Sequence, residues 1–187
     1  MSKGNSYLFH GTLGTSVSGL PQPLESYTDR GVSIPPHIQA MLDKLPNKGD
    51  YIKGNGSDFD MRDVSVMSKE TGVEFAKITI GNESYLIRGD KSETTIPDNL
   101  LNRMIRRGGS FDYHTHPHND DLVPSKGDRD FMEILRISTG QQNSTIVTPN
   151  GRTLLYNENG VISTGTVPNI INDDLRKLYS TLFGGNS

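Results

Sequence analysis

Two histidines and an aspartate near the middle of this 187-residue chain have the types and spacing of a metal-binding set. They lie in Asp112-Tyr-His114-Thr-His116-Pro117, which leads through an acidic loop to Pro124-Ser125-Lys-Gly-Asp128. If the first stretch closes a strand, His114 and His116 share a face, because strand side chains repeat with period two. On a helix the same spacing would point them almost opposite ways. Asp128, twelve positions after His116 at the start of what reads as the next helix, completes a His/His/Asp set. Three protein ligands leave the fourth position of a zinc ion to water, which marks a catalytic rather than a structural site. The ordinary alternative is a pair of surface or core histidines with no such duty.

Ser125-x-x-Asp128 also has two readings. A serine followed three residues later by an acid, beside a proline, is the pattern of a capping box. The same helix start could fix the carboxylate and aim a hydroxyl and backbone amides at developing negative charge. Glu74 places a carboxylate where the pattern asks for an apolar side chain, since it shares a strand face with Ala76, Ile78 and Ile80. It is either a solvated strand end or a general base beside a metal-bound water, its pKa raised by partial burial. Glu70 and Glu83 are its rivals, before the strand and in the turn. Asp112 has the parity of His114 and could orient an imidazole. His118, Asp120 and Asp121 lie in the loop, the two aspartates being substitutes for Asp128 as ligand. Arg103, Arg106 and Arg107 read as a solvated helix face, and His10 and His37 carry no signal.

The elements that must position these residues follow from periodicity and punctuation. Residues 1–62 read as a Gly/Pro-rich leader or linker with one short helix, His37 to Leu45, whose Ile38, Met41, Leu42 and Leu45 share a face. Residues 63–187 read as the working domain. Val73–Ile80 and Ser84–Arg88 form a hairpin about Gly81-Asn82. Pro97 opens a helix with Leu100, Leu101, Met104 and Ile105 as its stripe, ended at Gly108. Phe111–His116 is a third strand, and Asp128–Ser138 a helix with Phe131, Ile134 and Leu135 inward. Thr145–Thr148 and Arg152–Tyr156 form a hairpin about Pro149-Asn150-Gly151. Pro168 starts a last helix with Ile171, Leu175, Leu178 and Leu182 on one face. The order predicts an α/β fold, a mixed sheet flanked by helices.

Composition narrows the function classes. A net charge of −3 gives no footprint for nucleic acid or an anionic membrane. No apolar run approaches the ~18 residues of a membrane-spanning helix, and the N-terminal stretch does not read as a signal peptide. With no cysteine, thiolate nucleophiles, cysteine zinc sites and disulfides are excluded, and the compartment is left open.

Glu74 on the first strand, His114-Thr-His116-Pro117 ending a later one and Ser125-Lys-Gly-Asp128 opening a helix together resemble the JAMM (MPN+/JAB) zinc metallopeptidases. Gly108-Gly-Ser-Phe-Asp-Tyr before the histidines is similar to that family's strand, and Ile146-Val-Thr-Pro with Thr153-Leu-Leu-Tyr to its following hairpin. The eight residues between His116 and Ser125 are one more than the family's usual spacing. The likeness spans about residues 64–165. It implies a cytidine-deaminase-like (JAB/MPN) fold and hydrolysis of a peptide or isopeptide bond in a protein or peptide substrate. It also implies one Zn²⁺ held by His114, His116 and Asp128, with Glu74 as general base and acid and Ser125 stabilising the oxyanion. The leader resembles linkers before JAB-like toxin domains of large bacterial secreted proteins. That likeness implies an effector context with a cognate inhibitor protein, either in the bacterial cytoplasm or secreted within a larger protein.

Rival readings are a non-catalytic binding module of the same fold and a toxin nuclease, the latter opposed by the absence of a basic stripe. Asp112-x-His114-x-His116 also resembles the opening of metal phosphoesterases and amidohydrolases, but these need further histidines downstream and none follows His118. Zinc deaminases need two cysteine ligands.

Overall fold

The computed structural model describes residues 33–167, so the helix expected from Pro168 lies outside the described residues. Eleven elements follow in chain order: α1 (Pro36–Leu42), β1 (Tyr51–Asn55), α2 (Met61–Thr71), β2 (Phe75–Ile80), β3 (Glu83–Arg88), α3 (Asp98–Arg107), β4 (Ser110–Thr115), α4 (Lys126–Thr139), β5 (Ser144–Val147), β6 (Arg152–Asn157) and β7 (Gly160–Thr166). The strands form one sheet in the order β1-β3-β2-β4-β5-β6-β7, which puts β4 in the middle. Neighbours are antiparallel except β4 and β5. A parallel pair needs a long crossover, and α4 with the loop before it supplies one. This is the mixed α/β architecture that the element order predicts.

Period-two alternation builds both faces of the sheet. Along β2, Ala76, Ile78 and Ile80 pack with Leu100, Leu101 and Met104 of α3 and Phe131, Met132 and Leu135 of α4. Phe75, with Leu86, Tyr113 and Val147, packs on the other face with Ile38 of α1 and Val64 and Met67 of α2. Helices thus cover both faces. On α4, Met132 is buried where the sequence suggested Ile134, which is only half-buried. The β2–β3 hairpin turns at Gly81, whose φ of 63° is a conformation that suits glycine.

Three elements, β1, α2 and β7, have no counterpart in the sequence reading, and α1, which does, is packed into the fold. β1 and α1 fall inside the stretch read as leader, yet β1 pairs with β3 along its whole length, and Ile38 and Leu45 are buried. α2 has no clean apolar stripe because Ser65 and Ser68 occupy its inner side, fully buried; the Ser68 hydroxyl donates to the Val73 carbonyl at 2.7 Å. β7 forms the outer edge of the sheet with Val161 and Ile162 exposed, so no buried face betrays it in the sequence.

Candidate metal centre

The end of β4 and the start of α4 meet on the α3/α4 face of the sheet. His114 is opposite Ala76 on β2 and beside Ile146 on β5. Its ring stacks on Phe111 at 5.6 Å and meets the edge of Tyr156 at 5.9 Å. His116 lies just past the last residue of β4, but its amide donates to the Val147 carbonyl at 3.0 Å, so the ladder carries it onto the same face. Both imidazoles are fully buried.

Asp128 arrives through the capping box. The Ser125 hydroxyl accepts from the Asp128 amide at 3.1 Å, and Asp128 Oδ2 accepts from the Ser125 amide at 2.7 Å. Capping and site-building are therefore the same structure. One carboxylate oxygen holds the helix start, which leaves Oδ1 buried with no hydrogen-bond partner. That oxygen is 3.3 Å from His114 Nε2, and the two Nε2 atoms are 3.1 Å apart. A tetrahedral ion with ligands at about 2.0–2.1 Å has ligand–ligand edges of roughly 3.3 Å; these two spacings match it, while the third edge is wider, with His116 Nε2 4.0 Å from Asp128 Oδ2. His114, His116 and Asp128 form a buried group, with one ligand atom from each within 4.8 Å of the others, that can hold a metal ion.

Asp121, weighed above as an alternative ligand, does something else. His116 Nδ1 lies 2.8 Å from the Asp121 carbonyl and 3.4 Å from its Oδ2. A carbonyl only accepts, so Nδ1 carries a hydrogen and Nε2 is the nitrogen turned to the cluster, free to ligate once its own proton leaves. Asp121→Ala removes the carboxylate but keeps the carbonyl. We expect it to weaken metal affinity by about tenfold, the low end of such effects, as read by competition with a chelating dye.

Asp112 does not orient an imidazole. The β2–β4 register runs Lys77 opposite Tyr113, then Ile78 opposite Phe111, so Asp112 is the extra residue of a β-bulge. The bulge reverses its parity; its carboxylate takes the Thr79 hydroxyl at 2.6 Å and the Ser110 hydroxyl at 2.5 Å. His118 and Asp120 are exposed.

Glu74 precedes β2 but is tied into the sheet. Its amide donates to Asp90 O at 2.7 Å, and its carbonyl accepts from Gly89 at 2.8 Å. Continuing the Ala76–His114 register by two residues sets Glu74 across from His116, on the face of the metal-binding group. The side chain is fully buried, with Oε1 unpartnered and Oε2 3.5 Å from the Thr94 hydroxyl. Neither rival competes. Glu70 belongs to α2, which packs on the opposite face. Glu83, at the start of β3, binds Lys53, Arg103 and the Tyr85 hydroxyl, hydrogen bonds that hold its carboxyl down to about 2. Arg103 is accordingly an ion-pair partner, with its guanidinium 5.3 Å from the Tyr85 ring centre, and not merely a solvated side chain.

The chain matches no family model, no curated protein and no solved structure.

Electrostatics in the buried cluster follow from burial first. Burial pushes Glu74 well above the usual carboxylate range; a charge on His116 opposes this, while Asp128 and Asp121 push it further up. Asp128 is raised by burial against the pull of His116 and the Ser125 hydrogen bonds. His114 is pushed well down by burial and by His116, so it stands neutral and ready to ligate. For His116, burial acts downward, but the hydrogen bond to Asp121 and the charges of Glu74, Asp128 and Asp121 outweigh it and hold the imidazole at about 9. Such a site concentrates negative charge around one imidazolium, an arrangement in which a divalent cation can take the proton's place.

Sequence reasoning did not find Thr94 or the orienting role of Asp121. Both act through loops whose course no local pattern reveals.

Proposed function

We propose that this chain is a zinc-dependent metallopeptidase of the JAMM (MPN+/JAB) kind that hydrolyses a peptide or isopeptide bond. One observation carries the reading: three buried groups each bring a ligand atom within 4.8 Å of the others, with the buried carboxylate of Glu74, its Oε1 without a hydrogen-bond partner, on the same sheet face. Two imidazole nitrogens and one carboxylate oxygen are a donor set that zinc favours, and the cysteine-free chain offers no thiolate. The middle strand ending at the histidines, with α4 starting beside them, supports the cytidine-deaminase-like form of the mixed sheet.

Zinc held by His114, His116 and Asp128 would supply Lewis-acid polarisation of the scissile carbonyl and bring a water's pKa toward ~7. Glu74, with its open oxygen, would accept a proton from the attacking water and deliver it to the leaving nitrogen, a transfer suited to a carboxyl whose pKa burial raises. The Ser125 oxygen is an acceptor in the helix cap, and its hydroxyl also bonds the Asp128 carboxyl, from which its hydrogen can turn to a substrate oxygen. That hydrogen meets the substrate oxygen as it becomes anionic, a contribution of roughly 3–4 kcal/mol when well placed.

Protein purified without added metal is expected to hold one zinc per chain by elemental analysis. It should cleave a fluorogenic peptide, or a fluorogenic conjugate joined through a glycine carboxyl and a lysine Nζ. A chelator should stop the cleavage and zinc restore it. Metal-free protein at full activity, or cleavage indifferent to the chelator, would overturn the proposal.

A further inference from the structure

Glu74 is the one site group whose charged atoms nothing in the metal-binding cluster holds still, and the loop after β3 closes against it. That loop is drawn to the strand twice: Glu74 donates to the Asp90 carbonyl, and Gly89 donates back to the Glu74 carbonyl. It is then folded on itself, with the Asp90 amide donating to Glu93 O at 2.8 Å and Asp90 Oδ1 accepting from the amides of Ser92 and Glu93 at 2.9 and 3.1 Å. Lys48 spans it from outside, binding Asp90 at 2.8 Å and also Glu93. The packing is so close that a Cβ on Gly89 would fall 2.3 Å from Glu93 O and 2.6 Å from Thr94 Oγ1. All of this sets Thr94, itself fully buried, with its hydroxyl 3.5 Å from Glu74 Oε2.

From this geometry we infer that Thr94 is a positioning residue: its hydroxyl fixes one oxygen of Glu74 so that the other faces the reacting atoms. The inference rests on the metallopeptidase reading for its catalytic meaning, but the contact itself exists without it. A carboxylate with two equivalent oxygens and one donor in reach has a defined orientation. Without the donor, the orientation of the group about its last bond is set by packing alone. The separation is long for a resting hydrogen bond, as catalytic contacts in unliganded enzymes commonly are before they tighten on substrate. Gly89 and the Lys48 clasp keep the loop from drifting away.

The test compares Thr94→Val, which keeps the shape and deletes the hydroxyl, with Thr94→Ser, which keeps the hydroxyl. Thr94→Ala serves if the valine variant does not fold. On the fluorogenic peptide and isopeptide probes, Thr94→Val should lose roughly 10- to 100-fold in kcat, the scale of a small misplacement of a reacting group. KM and zinc content should stay at the wild-type values, and Thr94→Ser should recover most of the rate. In zinc-free protein labelled at glutamate side chains, the Glu74 carboxyl carbon resonance should shift in Thr94→Val and return toward wild type in Thr94→Ser. Wild-type kcat in a folded, zinc-loaded Thr94→Val or Thr94→Ala variant, or an unmoved Glu74 resonance, would overturn the inference. A wild-type protein that binds no zinc or cleaves neither probe would instead overturn the reading on which its catalytic part rests.

Discussion

Glu74→Gln should abolish hydrolysis while leaving zinc bound. The substitution keeps the size and one acceptor oxygen but removes the basic site, so the expected loss is about 10²- to 10⁴-fold in kcat, the usual contribution of general acid–base transfer. Elemental analysis should still give one zinc per chain, because Glu74 is not among the three convergent ligands. Stability should move in a definite direction as well. Burial raises the Glu74 pKa in the folded protein, so the folded state favours the protonated form. The stabilisation from that proton is fully present below the unfolded value and is lost as pH rises through the folded one. Removing the buried charge by Glu74→Gln should therefore make the zinc-free protein more stable than wild type at pH 8, with the gap closing toward pH 4. Denaturant melts at the two pH values measure this. A Glu74→Gln variant with wild-type kcat would show that some other group moves the proton.

Asp128→Ala and His116→Ala should lose the metal, and with it the stability that binding adds. At free zinc a thousandfold above Kd, binding contributes about 4 kcal/mol, which for a chain of this size corresponds to a drop in Tm of roughly 10 °C when it is lost. Asp128 has two duties, and a second substitution separates them. Asp128→Asn keeps an oxygen to accept from the Ser125 amide but is a poor ligand. In chelator it should melt close to wild type, whereas Asp128→Ala should remain about 1 kcal/mol less stable through loss of its part in the cap. With zinc present both should lack the metal-induced rise in Tm. Because the imidazole of His116 sits at about 9 without metal, zinc uptake near pH 7 should release a proton, visible as a buffer-dependent heat in calorimetry. An Asp128→Asn protein that binds zinc as tightly as wild type would remove Asp128 from the ligand set.

The ligand cluster was legible in the chain because it is local: a strand end, a short loop and a helix cap within fifteen positions, each with its own residue signature. Glu74 was legible because a carboxylate interrupts the alternation of Ala76, Ile78 and Ile80, and the structure buries it on that face. What was hidden depends on events that spacing does not encode. The bulge at Asp112 breaks period two, so counting parity from His114 assigns it to the wrong side. Asp121 meets His116 through its backbone carbonyl as well as its side chain, and a carbonyl has no sequence signature. Thr94 reaches Glu74 through a loop stitched by Asp90 and Lys48, forty-two residues apart. α2 went unread because two of its five buried residues, Ser65 and Ser68, are serines that break the apolar stripe.

The placement of these groups along the chain also orders their assembly. All three groups that can hold an ion lie between positions 114 and 128, so taking one up would close only a short loop, at small entropic cost. Glu74 is forty residues upstream of His114 and reaches the cluster only when β2 zips against β4. Long-range strand pairing of that kind is a slow event in folding. Under the metallopeptidase proposal, a chain still emerging or recovering from denaturation would take up its ion early and acquire Glu74 late, and so would stay inactive until β2 and β4 pair.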